Sequence, residues 1–180
     1  AKELKPLAEK YYGAVPAAAP ISRARPAEPP QEAARIVAMQ HTQVRQPSWR
    51  RSYLAPSYLY GETQHAYALQ VLTEILGGGG TSRIYRKLVI DDRKAVSAGS
   101  YYRAKKRLVA SAVFARDSFT AGARTLGAAL AVGRKVADVE AWPDRIAAVT
   151  AEEIQAAAKY VFVKKHSVTA FLVEDKEKPE

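Results

Sequence analysis

Metal chemistry, nucleophilic catalysis and anion binding each need particular side chains at particular spacings, and this sequence supplies few of them. It has three histidines, His41, His65 and His166, and no cysteine. Two side chains on a helix share one metal ion only when they stand three or four residues apart, and no two of these histidines do. Glu62 precedes His65 by one helical turn, a spacing that suits a surface pair better than a ligand set. A zinc site built from all three histidines would have to be assembled by tertiary folding alone. The missing thiols exclude a cysteine nucleophile, a Cys-ligated metal and a disulfide framework. The serine-nucleophile pattern G-x-S-x-G is absent as well.

Two other features invite a chemical reading. Gly77 to Gly80 are followed by Thr81-Ser82-Arg83. A phosphate loop would need a Gly-Lys pair after the run and a strand before it. Here a helical pattern precedes the run, which predicts a helix-to-helix turn with positive φ. The stretch Arg45 to Tyr58, RQPSWRRSYLAPSY, alternates arginines with aromatics. Stacking plus phosphate contacts would use such residues, and the formal net charge of +10 would favour an anionic partner. No recognised nucleic-acid motif accompanies the stretch. The competing expectation is an exposed strand with solvated arginines, in which Trp49 and Tyr53 pack inward. Glu152 and Glu153 are acidic where the helix dipole favours negative charge, so capping explains them.

The elements that would position these residues are legible in outline. The 180 residues are 48% hydrophobic, enough for one folded domain with a real core. No apolar run is long enough to span a membrane, and the charged N-terminus lacks the core of a signal peptide. Residues 1–13 read as the last helix of a preceding domain, closed by Gly13. Residues 14–34 hold Pro16, Pro20, Pro26, Pro29 and Pro30 and read as a semi-rigid linker. A domain then runs over residues 35–175, and residues 176–180 are a mobile tail.

Within that domain, Arg35 onward and Arg50 to Leu54 predict a hairpin or two neighbouring strands, the second ended by Pro56. Residues 62–76 predict an amphipathic helix with Ala68, Leu69, Leu72, Ile75 and Leu76 on its buried face. Thr81 or Ser82 can cap a second helix reaching Asp91 or Asp92. Ala95 to Tyr102 predicts a strand. Helical stripes follow at Ala104, Leu108, Ser111, Ala112 and Ala115, and again at Ala123, Leu126 and Leu130, closed by Gly133. Val139 and Trp142 precede Pro143, which suits the first turn of a further helix ending near Val149. Thr150 and Glu153 form a capping box for a helix burying Ile154, Ala157, Ala158 and Val161, and Ser167 to Val173 is a closing strand. This order argues for an α+β fold, a two-layer domain of sheet and helices.

Several long words in this order resemble one family. EKYYGAVP with RPAEPPQ resembles the end of the first homologous domain and the linker of the pitrilysin/insulinase zinc metallopeptidases. LAPSYLYGETQHAYALQVLTEILGGGGTSRIYRKLV resembles the start of their second domain. FARDSFTAGARTLGAALAVG, WPDRIAAVTAEEIQAAAKYVF and SVTAFL resemble its end. The resemblance covers nearly the whole sequence and is nearest to bacterial members akin to mitochondrial processing peptidase.

The resemblance implies a C-terminal, catalytically incomplete domain of a zinc endopeptidase that cleaves unstructured peptides. Zinc would belong to the parent enzyme and be held by an N-terminal homologous domain carrying H-x-x-E-H, so that no catalytic or metal-ligating residue is assigned in these 180 residues. Active members also use an arginine and a tyrosine seven residues apart, and by alignment from Leu88 those places hold Val89 and Val96. Neither can donate a hydrogen bond, which implies a partner subunit supplying that pair. The family carries a further strand and helix at Tyr102–Arg103, so the resemblance implies that residues are missing there. The alternatives are a non-catalytic structural subunit of the same family and a basic nucleic-acid-binding domain; the leading reading has no nucleic-acid partner. A periplasmic or a cytoplasmic setting is equally compatible with the sequence.

Overall fold

The computed structural model describes residues 4–16, 29, 31–102 and 119–175. The protein divides into two compact units, Ala1–Pro30 and Gln31–Glu180. The first contains helix α1, Leu4–Tyr12. The Gly13 N–H donates to Glu9 O (2.9 Å) and continues the helical bonding past the last residue. The proline-rich linker lies mostly outside the described residues, as does the predicted stripe from Ala104 to Ala115.

The second unit is mixed α and β. Strands β1 (Arg35–His41), β2 (Ser48–Tyr53) and β3 (Ser167–Glu174) form a three-stranded sheet in the order β1-β3-β2. The closing strand is therefore central: parallel to β1, with Arg35 opposite Val168, and antiparallel to β2, with Trp49 opposite Phe171. This corrects the predicted hairpin. β1 and β2 are close in sequence but do not pair, because β3 inserts between them from more than a hundred residues away. Gln31 fixes the entry to β1, its side-chain amide donating to Ser167 O (2.9 Å).

The helical layer is built on α2 (His65–Gly77) and α7 (Ala151–Val161). Ala68, Leu69 and Leu72 of α2 meet Ala157 and Val161 of α7 in the main core cluster. Small residues at Ala68 and Ala157, 2% and 0% exposed in that cluster, let the backbones come close. Tyr53, Leu76, Tyr102, Val149 and Ile154 pack around that cluster. Ile75, predicted on the buried face, is 37% exposed. α7 starts as its sequence demands: the Glu153 N–H donates to Thr150 Oγ1 (3.2 Å), and the Thr150 N–H donates to Glu153 Oε2 (2.9 Å).

Between these helices the backbone forms a short helix α3 (Arg83–Tyr85) that continues as a π-helical turn over Arg86–Asp91. Lys87 and Lys94 both pair with Asp92, at 2.7 and 3.4 Å, and hold the end of that turn. Helices α4 (Phe119–Leu130), α5 (Val136–Glu140) and α6 (Trp142–Ala147) complete the layer. Among the described side chains of α4, Thr125 and Ala129 are buried while Leu130 is 53% exposed, so the predicted stripe is rotated. Gly133 takes φ 85 after α4, the left-handed stop that glycine favours.

Residues 95–102, a strand by sequence pattern, form none. They are anchored instead by side chains. Ser100 Oγ donates to Thr73 O (2.9 Å), and Tyr102 Oη donates to Pro56 O (2.6 Å). A strand needs a ladder partner, and among the described residues none lies beside this segment.

Candidate functional site

The histidines are not brought together. His41 lies on β1, where its Nδ1 accepts from the Gln43 N–H (3.2 Å). The His65 ring stacks on Tyr160 with centroids 4.9 Å apart. His166 ends a 3₁₀ turn before β3. Among the described residues no group of three or more His, Cys, Asp or Glu could hold a metal ion. Zinc does not fit the described side chains, and no chemistry through zinc follows from them.

The glycine run makes the predicted turn between helices, with a different physical basis. None of the four glycines has positive φ. Gly77 is the last residue of α2, and a Cβ there would lie 1.9 Å from Ser100 N and 2.5 Å from the Gly99 carbonyl carbon. It is close backbone approach at Gly77 that demands glycine. Gly79 and Gly80 have room for a side chain.

Val89 is half-buried in the π-helical turn, and Val96 is 77% exposed. Neither side chain offers a donor or an acceptor. Trp49, Arg51 and Tyr53 of the Arg45–Tyr58 stretch share one face of β2 and differ in how far that face is covered. Tyr53 packs inward against Phe162, ring centroids 5.2 Å apart. Trp49 does not: it is 56% exposed, with the Arg51 guanidinium 5.1 Å above its ring. Arg51 is tied down by its Nε–H, which donates to Thr169 Oγ1 (2.9 Å).

One concave site is built from aromatic and charged side chains. It is a cleft of about 310 Å³ where the loop before α2 meets α5 and α6. Its Tyr58 is anchored by Gln70, whose Oε1 accepts from Tyr58 Oη (2.5 Å) and from the buried Trp142 Nε1–H (3.1 Å). Tyr58 and Tyr67 meet with ring centroids 5.0 Å apart. The Arg134 guanidinium lies 4.6 Å over the Tyr58 ring and donates to Asp138 O (3.0 Å). Arg145 lies 5.7 Å over the Tyr67 ring, donates to Tyr67 Oη (2.8 Å) and pairs with Asp138 Oδ1 through both terminal nitrogens (3.2 Å each).

Ionisation follows from this wiring. Burial is the main cause that pushes the Tyr58 hydroxyl up from its usual value. The Asp138 carboxyl is held below the usual range, first by the Lys135 backbone N–H and then by Arg145. Sequence reasoning missed the cleft. Tyr58 and Tyr67 stand far from Arg134, Asp138 and Arg145 along the sequence. The only local signal was the helical spacing of Arg134, Asp138 and Arg145.

The sequence matches the family described as the peptidase M16 inactive domain over residues 1–159. Among solved structures, the fold is similar to a protease from Helicobacter pylori, with 16% identity and a TM-score of 0.74 over 96% of this chain and 52% of that one. A conserved protein from Enterococcus faecalis V583 aligns with 19% identity and a TM-score of 0.62 over 84% of this chain and 44% of that one. A peptidase M16 inactive domain from Pseudomonas fluorescens aligns with 13% identity and a TM-score of 0.56 over 99% of this chain and 52% of that one. The 180 residues thus span about half the length of the structures they match. No curated protein matches them.

Proposed function

The chain belongs to the family of peptidase M16 inactive domains, and from that premise we propose that it is the C-terminal, non-catalytic half of a zinc-dependent endopeptidase. The zinc and the water-activating glutamate belong to an N-terminal homologous domain bearing H-x-x-E-H. This half walls the substrate chamber and forms the interface with its partner. The substrate is an unstructured peptide gripped as an added strand at a sheet edge.

The single observation that carries this reading is the family match across residues 1–159. The valines at 89 and 96 support the further step that a partner subunit supplies the arginine and tyrosine, since two hydrocarbon side chains do not stabilise developing negative charge. They also favour a second reading, in which the whole assembly has lost catalysis and serves as a scaffold. On either reading residues 14–34 link the end of the preceding domain to a domain over 35–175, and the sequence lacks residues between Tyr102 and Arg103. Two features support that gap. Residues 95–102 run without a ladder, and β2 pairs with β3 alone among the described residues.

The test is to express the 180 residues, then the longer polypeptide that contains them, and assay each with zinc on an unstructured fluorogenic peptide. The 180 residues alone should neither cleave nor retain zinc after dialysis. The longer polypeptide should bind zinc, and should cleave only when a second subunit is added. Chelator-sensitive cleavage by the 180 residues alone would overturn the proposal. Zinc binding without cleavage under any pairing would leave the scaffold reading standing.

A further inference from the structure

We propose that the cleft formed by Tyr58, Tyr67, Arg134 and Arg145 is a receptor for a polypeptide carboxylate. This role is separate from the peptidase reading and does not depend on it.

The argument rests on charge balance and preorganisation. Two guanidinium groups face the cleft, and Asp138 is the one carboxylate lining it. Asp138 is already taken by Arg145 in a two-nitrogen contact. Arg134 forms no ion pair among the described residues; its bonded acceptor is a backbone carbonyl. A guanidinium carries five N–H donors in a rigid fork that matches a carboxylate. The Arg134 fork is half-buried and held over the Tyr58 ring, so much of its rotamer freedom is lost before any ligand arrives.

Tyr58 is locked in turn by Gln70, whose second partner is Trp142. Tyrosine and arginine are the side chains enriched at binding hot spots, because they combine large area with a polar tip. A carboxylate placed here completes a charge-assisted pair with Arg134 while its apolar neighbours lie on the tyrosine rings. An acidic side chain and the free C-terminus of a polypeptide both offer that chemistry.

Three short peptides separate the sources when titrated calorimetrically into the full 180-residue protein at low salt, where exposed charges are least screened. Acetyl-Gly-Glu-Leu-Gly-amide offers a side-chain carboxylate, and acetyl-Gly-Gln-Leu-Gly a terminal one. Acetyl-Gly-Gln-Leu-Gly-amide offers neither. At least one carboxylate peptide should bind about tenfold more tightly than the neutral one, and the tighter of the two identifies the source. Arg134→Gln should lose about tenfold, and Arg134→Lys, which keeps the charge without the fork, should lose part of that. Arg50→Gln removes the same charge from exposed β2 and should change affinity by less than about twofold. The proposal falls if the neutral peptide binds equally, or if both Arg134 variants bind like the parent. It also falls if Arg50→Gln costs as much as Arg134→Gln, or if no peptide saturates by about 10 mM.

Discussion

Gly77→Ala and Gly79→Ala should move stability in opposite directions, although the two residues sit two apart in one glycine run. An alanine Cβ at position 77 would lie 1.9 Å from Ser100 N and 2.8 Å from Gly99 Cα. Both are backbone atoms, so no rotamer change relieves the clash. Segment 99–100 must retreat from α2 by about 1 Å or more, the scale on which overpacking costs about 1–3 kcal/mol. That retreat also breaks the bond from Ser100 Oγ to Thr73 O, worth about 1 kcal/mol. Alanine's better helix propensity returns just under about 1 kcal/mol. The net expectation is a loss of about 1–3 kcal/mol. At Gly79 nothing lies within 4 Å of the added Cβ, and φ is not positive. Alanine there restricts the unfolded state and should gain about 0.4–1 kcal/mol. Urea unfolding followed by far-UV circular dichroism measures both. If Gly77→Ala unfolds at the parent midpoint, or Gly79→Ala falls below it, the close-approach account of this turn is wrong.

Two capping positions should behave unlike each other. Thr150→Ala removes a formed capping box and should cost about 1 kcal/mol of stability by urea titration. Ser82 holds the N-cap backbone of α3, yet its buried Oγ has no hydrogen-bond partner among the described residues. Ser82→Ala should therefore be neutral or stabilising in the same assay, by up to about 1 kcal/mol. Burial, then the neighbouring Tyr58, pushes the Tyr102 hydroxyl well above its ordinary value. The folded state holds this proton where the unfolded state releases it, so its stabilisation is complete below about pH 10 and declines above it. Urea midpoints measured from neutral to strongly alkaline pH should fall for the parent and fall less steeply for Tyr102→Phe. That variant should also lose about 1 kcal/mol at neutral pH with the bond to Pro56 O.

What could be read from the sequence was mostly local. The capping box at Thr150, the stop at Gly133 and the Ala68–Leu69–Leu72 face each depend on neighbours within two turns of helix. The sheet order did not yield, because β1 and β2 share a partner that arrives from the far end of the sequence. A two-strand reading fits the same residues equally well as a hairpin. The glycine run makes the expected turn for another reason, since only a tertiary neighbour, Ser100, shows that Gly77 is squeezed rather than left-handed. Aromatics usually bury, which points Trp49 inward, but it shares a sheet face with Phe171, itself 38% exposed. The cleft was invisible for the same reason as the sheet order: its two halves meet only through folding.

The clearest mismatch between sequence and burial lies on β1, and it bears on the proposed function. Ile36, Val37 and Met39 do not alternate with polar residues; they place apolar side chains on both faces of the strand. That pattern belongs to strands covered on both sides. Here the three residues are 73%, 56% and 55% exposed. Each side chain, more than half in water, forgoes over half of the about 1.5–3 kcal/mol that full burial would supply, and a domain selected to stand alone would have one polar face. The sequence of β1 therefore records a cover that the described residues do not provide. The proposed function calls for two additions: a companion half, as long again as these 180 residues, which would cover β1, and a strand and helix after Tyr102, which would lie beside β2 instead. They are separable. The first protects β1 from amide hydrogen exchange only when the longer polypeptide is intact. The second changes exchange along β2 and residues 95–102 and leaves β1 as it was.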